Sequence, residues 1–312
     1  MRCRTGASKG SDARGPREVS AGRRARFSSV AFALAVAALL SIAAARVEPA
    51  RISIGTFNIR YANAGDGANA WDKRREMVVA ILKNRDVWGL QEALPEQVAQ
   101  LRSSLGEFDV VARSREKSPD EGEACPILYR SARWRLDAED VGTFWLSETP
   151  EVPGSKSWDS SLPRIATFAR LIDKESNRAL YVFNLHLDHQ GANARLEAAR
   201  VVAARIKGRK HADPVILLGD FNTGPATAPI RALLDDAALG LVDAWRVANP
   251  DKPERGSFNG WAETCAGDRI DFMLPSKSFA VESCVIDDAK PNGRWPSDHA
   301  SVQAVLAWPP VQ

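Results

Sequence analysis

Between residues 51 and 308, short apolar runs repeatedly end on a carboxylate, a carboxamide or an imidazole. The run 52–57 ends at Asn58, 87–91 at Glu92 and 180–185 at His186. The run 215–218 leads into Gly219-Asp220-Phe221-Asn222, Asp271 sits inside Arg269-Ile270-Asp271-Phe272-Met273-Leu274, and Asp298-His299 directly precede the last run. A single strand-end Asn or Asp is ordinarily a turn former or a helix cap. Repetition constrains the fold further. Strand ends in a sheet protein share a rim, so polar groups placed there meet in one cleft. The chain has 4 His. His186, His189 and His299 belong to these motifs, whereas His211, in Lys210-His211-Ala212-Asp213, reads as solvated surface.

The spacing of apolar residues predicts strands at 52–58, 86–91, 108–113, 125–130, 140–146, 164–172, 179–187, 215–218, 269–274, 279–286 and 300–307. Helices are predicted over 71–82 (Met77, Val78, Ile81 and Leu82 on one face), 95–105, 191–207 and 226–236. Two hairpin-like pairs, 125–130 with 140–146 and 164–172 with 179–187, sit beside β-α-β stretches. This mix predicts an α/β (α+β) domain with mixed sheets packed together and helices outside. From Arg51 onward there is no linker, repeat or low-complexity run, so residues 47–312 read as one domain.

The first 46 residues differ in character. They hold nine Lys/Arg against two Asp/Glu, while the remaining residues hold 33 against 37, so the net charge of +3 conceals an acidic folded part. Arg23, Arg24 and Arg26 precede an apolar stretch, 30–45, that ends in Ala43-Ala44-Ala45. A basic segment, a short apolar segment and small residues predict a secretory signal and an exported domain, periplasmic or extracellular. An uncleaved N-terminal membrane anchor is the alternative. Outside the cytoplasm Cys265 and Cys284 could form a disulfide. The other reading leaves Cys125, Cys265 and Cys284 as three buried thiols.

Asn, Glu, Asp and His without Cys ligands suit a hard cation, Mg²⁺ or in its place Mn²⁺. From Arg51 onward there is no C-x-x-C or Cys/His cluster for zinc, no G-x-S-x-G elbow, no P-loop and no G-x-G-x-x-G. A divalent cation beside a phosphoester neutralises charge that builds on the phosphoryl oxygens. A His held by a carboxylate can bind or protonate that phosphate, and a carboxylate beside an Asn can orient an attacking water.

Thr56-Phe57-Asn58, Gln91-Glu92, Asn184-Leu185-His186, Gly219-Asp220-Phe221-Asn222, Arg269-Ile270-Asp271 and Ser297-Asp298-His299, taken in order, resemble the motif set of the endonuclease/exonuclease/phosphatase superfamily. The resemblance covers residues 51–308. It implies a four-layer sandwich, two central mixed β-sheets flanked by α-helices, with a Mg²⁺-dependent phosphoesterase site at one rim. It implies Glu92 as main metal ligand, helped by Asn58, with Asp298 as a second ligand or support. Asp220 would activate the attacking water, Asn222 would hold a phosphate oxygen, and His299, oriented by Asp271, would contact the scissile phosphate. His186 would be the second imidazole, proposed in deoxyribonuclease-like members as the leaving-group acid. Tyr129 falls where some members bind phosphate, or is an ordinary strand aromatic. Phe144-Trp145-Leu146-Ser147-Glu148-Thr149-Pro150 and the long loop 147–163 are similar to a bacterial branch near the deadenylase-like members. Loops of this length in a compact domain are usually functional. Trp158, Arg164 and His189 are therefore expected to line the substrate pocket, although Trp158 could equally be a loop anchor. Arg60 and Arg74 either meet a terminal phosphate or pair at the surface.

The family's substrates range from nucleic acids to inositol phosphates and lipids. Duplex DNA binders gain most of their affinity from Lys/Arg, so an acidic domain argues against stable duplex binding. No exposed apolar hairpin is evident to engage a membrane. The expected partner is a small phosphorylated metabolite, a sugar phosphate or nucleotide, with single-stranded RNA or DNA as the alternative and a lipid phosphodiester third. A binding module that lost its chemistry would lack one of Glu92, Asp220, Asn222 or His299, and all four are present.

Overall fold

Side chains alternate across a strand, and in the central strands both alternating sets are apolar. In β1 (Arg51–Asn58), Ile52 and Ile54 enter one core while Phe57 enters another. In β2 (Val87–Gln91), Val87 enters the first core, and Trp88 and Leu90 the second. A strand buried on both faces needs a layer on each side. The computed structural model describes Gly15 and residues 50–309. The leader and export signal read at 1–46, Gly15 apart, lie outside the described residues.

The other strands are β3 (Phe108–Val111), β4 (Ile127–Arg130), β5 (Trp134–Trp145), β6 (Ile165–Asp173), β7 (Ala179–His186), β8 (Val215–Asp220), β9 (Asp271–Pro275), β10 (Ala280–Asp287) and β11 (Ser301–Ala307). They form a six-stranded sheet, β10-β11-β1-β2-β4-β3, and a five-stranded sheet, β5-β6-β7-β8-β9. Both are mixed: β1 and β2 run parallel, as do β7 and β8, and the remaining pairs are antiparallel.

Ile52, Ile54, Leu180, Val182, Ile216, Leu218, Met273, Val302 and Ala304 fill the space between the two sheets. The outer face of the six-stranded sheet is covered by α1 (Trp71–Leu82) and α2 (Pro95–Ser104), through Val78, Val79, Leu82 and Leu101 against Phe57, Trp88 and Leu90. The other outer face carries α3 (Ala192–Lys207) and α4 (Ala228–Leu234). In α3 the buried Ala194, Ala198, Ala199, Val202, Ala203 and Ile206 recur at helical spacing, and their small size lets the helix lie close to the sheet. The result is the expected four-layer sandwich.

Four local expectations change. Segment 125–130 does not form a hairpin with 140–146. β4 pairs with β2 and β3, and β5 pairs with β6 in the other sheet. The chain changes sheets at Arg133, which bonds Asp86 Oδ2 at 2.5 Å and Asp173 Oδ2 at 3.2 Å. β5 also begins earlier, at Trp134, because a break in register between Leu136 and Val141 lets the polar stretch 137–140 bulge without ending the strand. A short helix, α5 (Ala244–Ala248), capped by Asp243, was not expected. Cys125, Cys265 and Cys284 are free thiols, Cys265 half-buried and the other two buried, so the disulfide reading is not what the structure holds. Among the described residues, no helix is long and apolar enough to cross a membrane.

Candidate active site

Strand parity brings the polar residues together. In β1 the set Ile52, Ile54, Thr56, Asn58 faces the other sheet; in β7 it is Leu180, Val182, Asn184, His186, and in β8 Ile216, Leu218, Asp220. Apolar members fill the core and polar members end each row at the same rim. Asn58 lies beside Gln91 on the parallel neighbour β2, and His186 beside Asp220 on the parallel pair β7–β8. β9 runs the other way, so its first residue, Asp271, sits opposite Asp220. Beneath the rim, Gln91 Nε2 donates to Asn184 Oδ1 across the two sheets at 2.6 Å. Gly89 permits this approach, because a Cβ there would overlap a Leu218 methyl and stand 2.8 Å from Asn184 Cγ.

Asp220 is the hub. Its Oδ2 accepts from Asn58 Nδ2 at 2.9 Å, its Oδ1 accepts from Asn222 N–H at 2.9 Å, and His186 Nε2 and His299 Nε2 stand 3.4 and 3.8 Å from Oδ2. Burial, followed by the Asp271 charge, raises the Asp220 carboxyl above the usual carboxylate range. On the far side of His299, Nδ1 donates to Asp271 Oδ2 at 2.9 Å, and Ser257 Oγ donates to the same oxygen at 2.6 Å. Burial opposes a charge on His299, yet Asp271 and Asp220 outweigh it and push the imidazole up to about 10, so it is cationic at neutral pH. His186 has the opposite fate. Burial, with Arg164 and Arg115 nearby, holds it well below its ordinary value and therefore neutral. Asn222 Nδ2 donates to its Nε2 at 2.9 Å and to Leu187 O at 3.0 Å. A neutral His186 whose Nε2 accepts from Asn222 carries no proton there to give to a leaving group.

Glu92 and Asp298 form the acidic side. Glu92 Oε1 accepts from Asn58 Nδ2 at 3.0 Å and Oε2 from Tyr61 N–H at 3.2 Å. The Arg60 guanidinium stands 3.9 Å from Glu92 and 3.8 Å from Asp298, held by paired bonds to Asp66 at 3.1 and 3.2 Å. Burial, against the pull of His299, raises the Asp298 carboxyl, and Glu92 adds to the rise. Arg60, Glu92 and Asn222 all have positive φ, at 55°, 60° and 49°. Left-handed backbone at non-glycine residues persists where surrounding structure enforces it, and it concentrates at functional sites.

These groups border a cavity of about 590 Å³. Glu92, His186, Asp220, Asn222, Asp298 and His299 line it, together with Arg164 and His189 from the expected pocket set. Asn58 and Asp271 sit behind that surface, bonded to Asp220 and His299. Asn58 enters as an N–H donor that sets both carboxylates, and its Oδ1 accepts from Arg60 N–H. Trp158 is not among the lining residues; it takes positive φ (56°) in its loop. Tyr129 is likewise outside the site. β4 runs antiparallel to β2, so Tyr129 pairs with Val87 at the opposite end from Glu92 and packs in the inter-sheet core. Arg74 is fully buried and donates to the carbonyls of Ile59, Arg60 and Asn69, holding the chain beneath Arg60. Tyr61, Arg115, Glu123 and Phe258 line the cavity without having been expected. Phe258 packs edge-on against His299, with centroids 4.9 Å apart. A second cavity, also about 590 Å³ and lined by Arg170, Arg178, Arg209 and Lys277 among others, holds none of the strand-end residues.

The donor set fits a hard divalent cation. Glu92 and Asp298 supply carboxylate oxygens, with Asp220 close by and no thiol in the group. Asp220, Asp271 and His299 also place ligand atoms within 4.8 Å of one another. There, however, Asp271 and Asp220 hold His299 as a cation, and an imidazolium has no lone pair for an ion. The Glu92–Asp298 side, where among the described residues Arg60 alone stands within 4 Å of both carboxylates as a cation, is the better place for it.

Known proteins agree with this geometry. The sequence profile of the Endonuclease/Exonuclease/phosphatase family matches residues 55–299. A solved family member from Bacteroides thetaiotaomicron is 30% identical, covering 84% of this chain and 99% of that one, with TM-score 0.76. A mannosyl-6-phosphatase from Bacteroides thetaiotaomicron VPI-5482 is 31% identical, covering 82% and 100%, with TM-score 0.76. An uncharacterized protein, L388, of Acanthamoeba polyphaga mimivirus is 26% identical over 162 residues, 49% of this chain and 59% of the viral protein's length. By fold, site and sequence, the chain belongs to the Endonuclease/Exonuclease/phosphatase family, whose members are metal-dependent hydrolases of phosphoester bonds.

Proposed function

We propose that this protein is an exported, Mg²⁺-dependent phosphatase that hydrolyses a small phosphorylated metabolite, a sugar phosphate or nucleotide, by in-line attack of water. The observation that carries the reading is the single cavity of about 590 Å³ in which the acidic pair, Asp220, Asn222 and His299 all converge. That volume is the size of a small-molecule site. The likeness to a mannosyl-6-phosphatase supports the same substrate class.

Glu92 and Asp298 would hold the cation, which when bound supplies Lewis-acid neutralisation of the phosphoryl oxygens. Asp220, fixed by Asn58 and the Asn222 amide, orients the attacking water and accepts its proton; its raised carboxyl makes it a competent base near neutral pH. The His299 imidazolium, pinned by Asp271, faces the equatorial oxygens as charge builds there. Asn222 would donate to a phosphate oxygen by exchanging the bond that its Nδ2 makes to His186 Nε2. One observation favours a second reading, a single-strand exonuclease. Phe258, 41% exposed beside His299, offers a face on which a base could stack.

A panel of sugar phosphates, nucleotides and single-stranded oligonucleotides, assayed with Mg²⁺ and with chelator, separates the readings. Phosphate release from the small substrates without shortening of oligonucleotides is the expected result; shortening without phosphate release refutes it. Asp220→Ala should cut kcat by at least 10²-fold while leaving the fold intact, because it acts mainly on the transition state.

A further inference from the structure

One wall of the cavity is not used by the phosphoryl chemistry. It carries Arg115, Glu123, Arg164 and His189. Arg115 Nη1 donates to Glu123 Oε2 at 2.7 Å, and Arg164 Nη2 lies 2.9 Å from His189 Nδ1. Arg164 is itself anchored by the buried Asp188, 3.5 Å from its Nε. Arg115, Glu123, Arg164 and His186 also share a small adjoining recess, so they form one contiguous surface. Arg115 Nε is buried without a hydrogen-bond partner, its nearest carboxylate being Glu116 at 3.6 Å.

We infer that Glu123, paired with Arg115, is the specificity-determining residue that reads vicinal hydroxyls on the leaving alcohol, making the substrate a polyol monophosphate. The inference rests on the phosphatase reading above and narrows it. An ionised carboxylate accepts hydrogen bonds only, and a guanidinium donates only. Side by side at 2.7 Å they match two neighbouring hydroxyls, one donating and one accepting. Such a site discriminates against analogues without the hydroxyl, because Arg115 Nε, which has no partner within the protein, is then left buried and unpaired.

The test compares mannose 6-phosphate with phenyl phosphate, whose leaving group has no vicinal hydroxyls, in the full Mg²⁺-loaded enzyme. In Glu123→Gln the ratio of kcat/KM for mannose 6-phosphate to that for phenyl phosphate should fall at least tenfold, mainly through KM. Arg115→Met should lower the same ratio and serves where Glu123→Gln does not fold. If the unaltered enzyme favours the sugar phosphate and the ratio survives both substitutions, the inference is overturned and the phosphatase reading stands. Failure of the unaltered enzyme to release phosphate from any sugar phosphate overturns the inference, and failure on nucleotides as well overturns that reading.

Discussion

Replacing Asp271 with Asn removes a charge while keeping the shape. Asp271 Oδ2 takes the bonds from His299 Nδ1 and Ser257 Oγ, at 2.9 and 2.6 Å, and its other oxygen is buried without a partner. An Asn can present its carbonyl to both donors and place its amide where the unpaired oxygen lies, at a stability cost of about 1–3 kcal/mol for the unpaired buried N–H. The electrostatic change is larger. Lifting an imidazole from 6.5 to about 10 corresponds to about 5 kcal/mol in favour of the cation. Asp271 is the strongest attractive partner, and Asp220, 3.8 Å from Nε2, remains. His299 should therefore fall by about 2–3 pH units. A raised imidazole stabilises the fold fully below its unfolded value of 6.5, and that contribution disappears as pH rises through about 10. In Asp271→Asn the same loss should occur at lower pH. At pH 8 the variant's kcat should be down by about 10²–10³-fold, the scale of losing a preorganised electrostatic donor, and should recover partly toward pH 6. Histidine titration by NMR in chelator, with a pH–rate profile, makes the measurement. Equal His299 titration in both proteins would refute the reasoning.

Gly89→Ala forces a methyl into Leu218 and Asn184 where the sheets meet; denaturant unfolding should show a loss of about 1–3 kcal/mol. Tyr129→Phe should leave kcat/KM within twofold, since Tyr129 lies at the far end of β4; a large loss in steady-state kinetics would restore it to the site. Arg74→Met strips donors from the carbonyls of Ile59, Arg60 and Asn69 and should cost about 3–5 kcal/mol of stability while raising KM as the chain at Arg60 loosens, read by thermal melting and initial rates.

The site's inner ring was legible because it is written in strand periodicity. Asn58, Glu92, His186, Asp220 and Asp271 end or begin apolar rows, and parity with parallel pairing makes those ends converge. Tyr129 was misjudged because motif spacing carries no strand direction; once β4 is known to run antiparallel to β2, its C-terminal end belongs to the other rim. The false hairpin between 125–130 and 140–146 has a similar origin. Adjacent strands in sequence usually pair, and nothing local to residues 131–133 announces a change of sheet. Arg115, Glu123, Tyr61 and Phe258 were missed because they stand outside the strand rows whose period marked the rest, and Arg115 and Glu123 gain meaning only from each other.

The most direct test of the central claim is Mn²⁺ binding followed by EPR, with Mg²⁺ as competitor. The account predicts saturable binding displaced by Mg²⁺, weakened at least tenfold in Glu92→Gln and Asp298→Asn and unchanged in Tyr129→Phe. Equal binding by all four proteins would show that the cation does not sit where the strand ends meet.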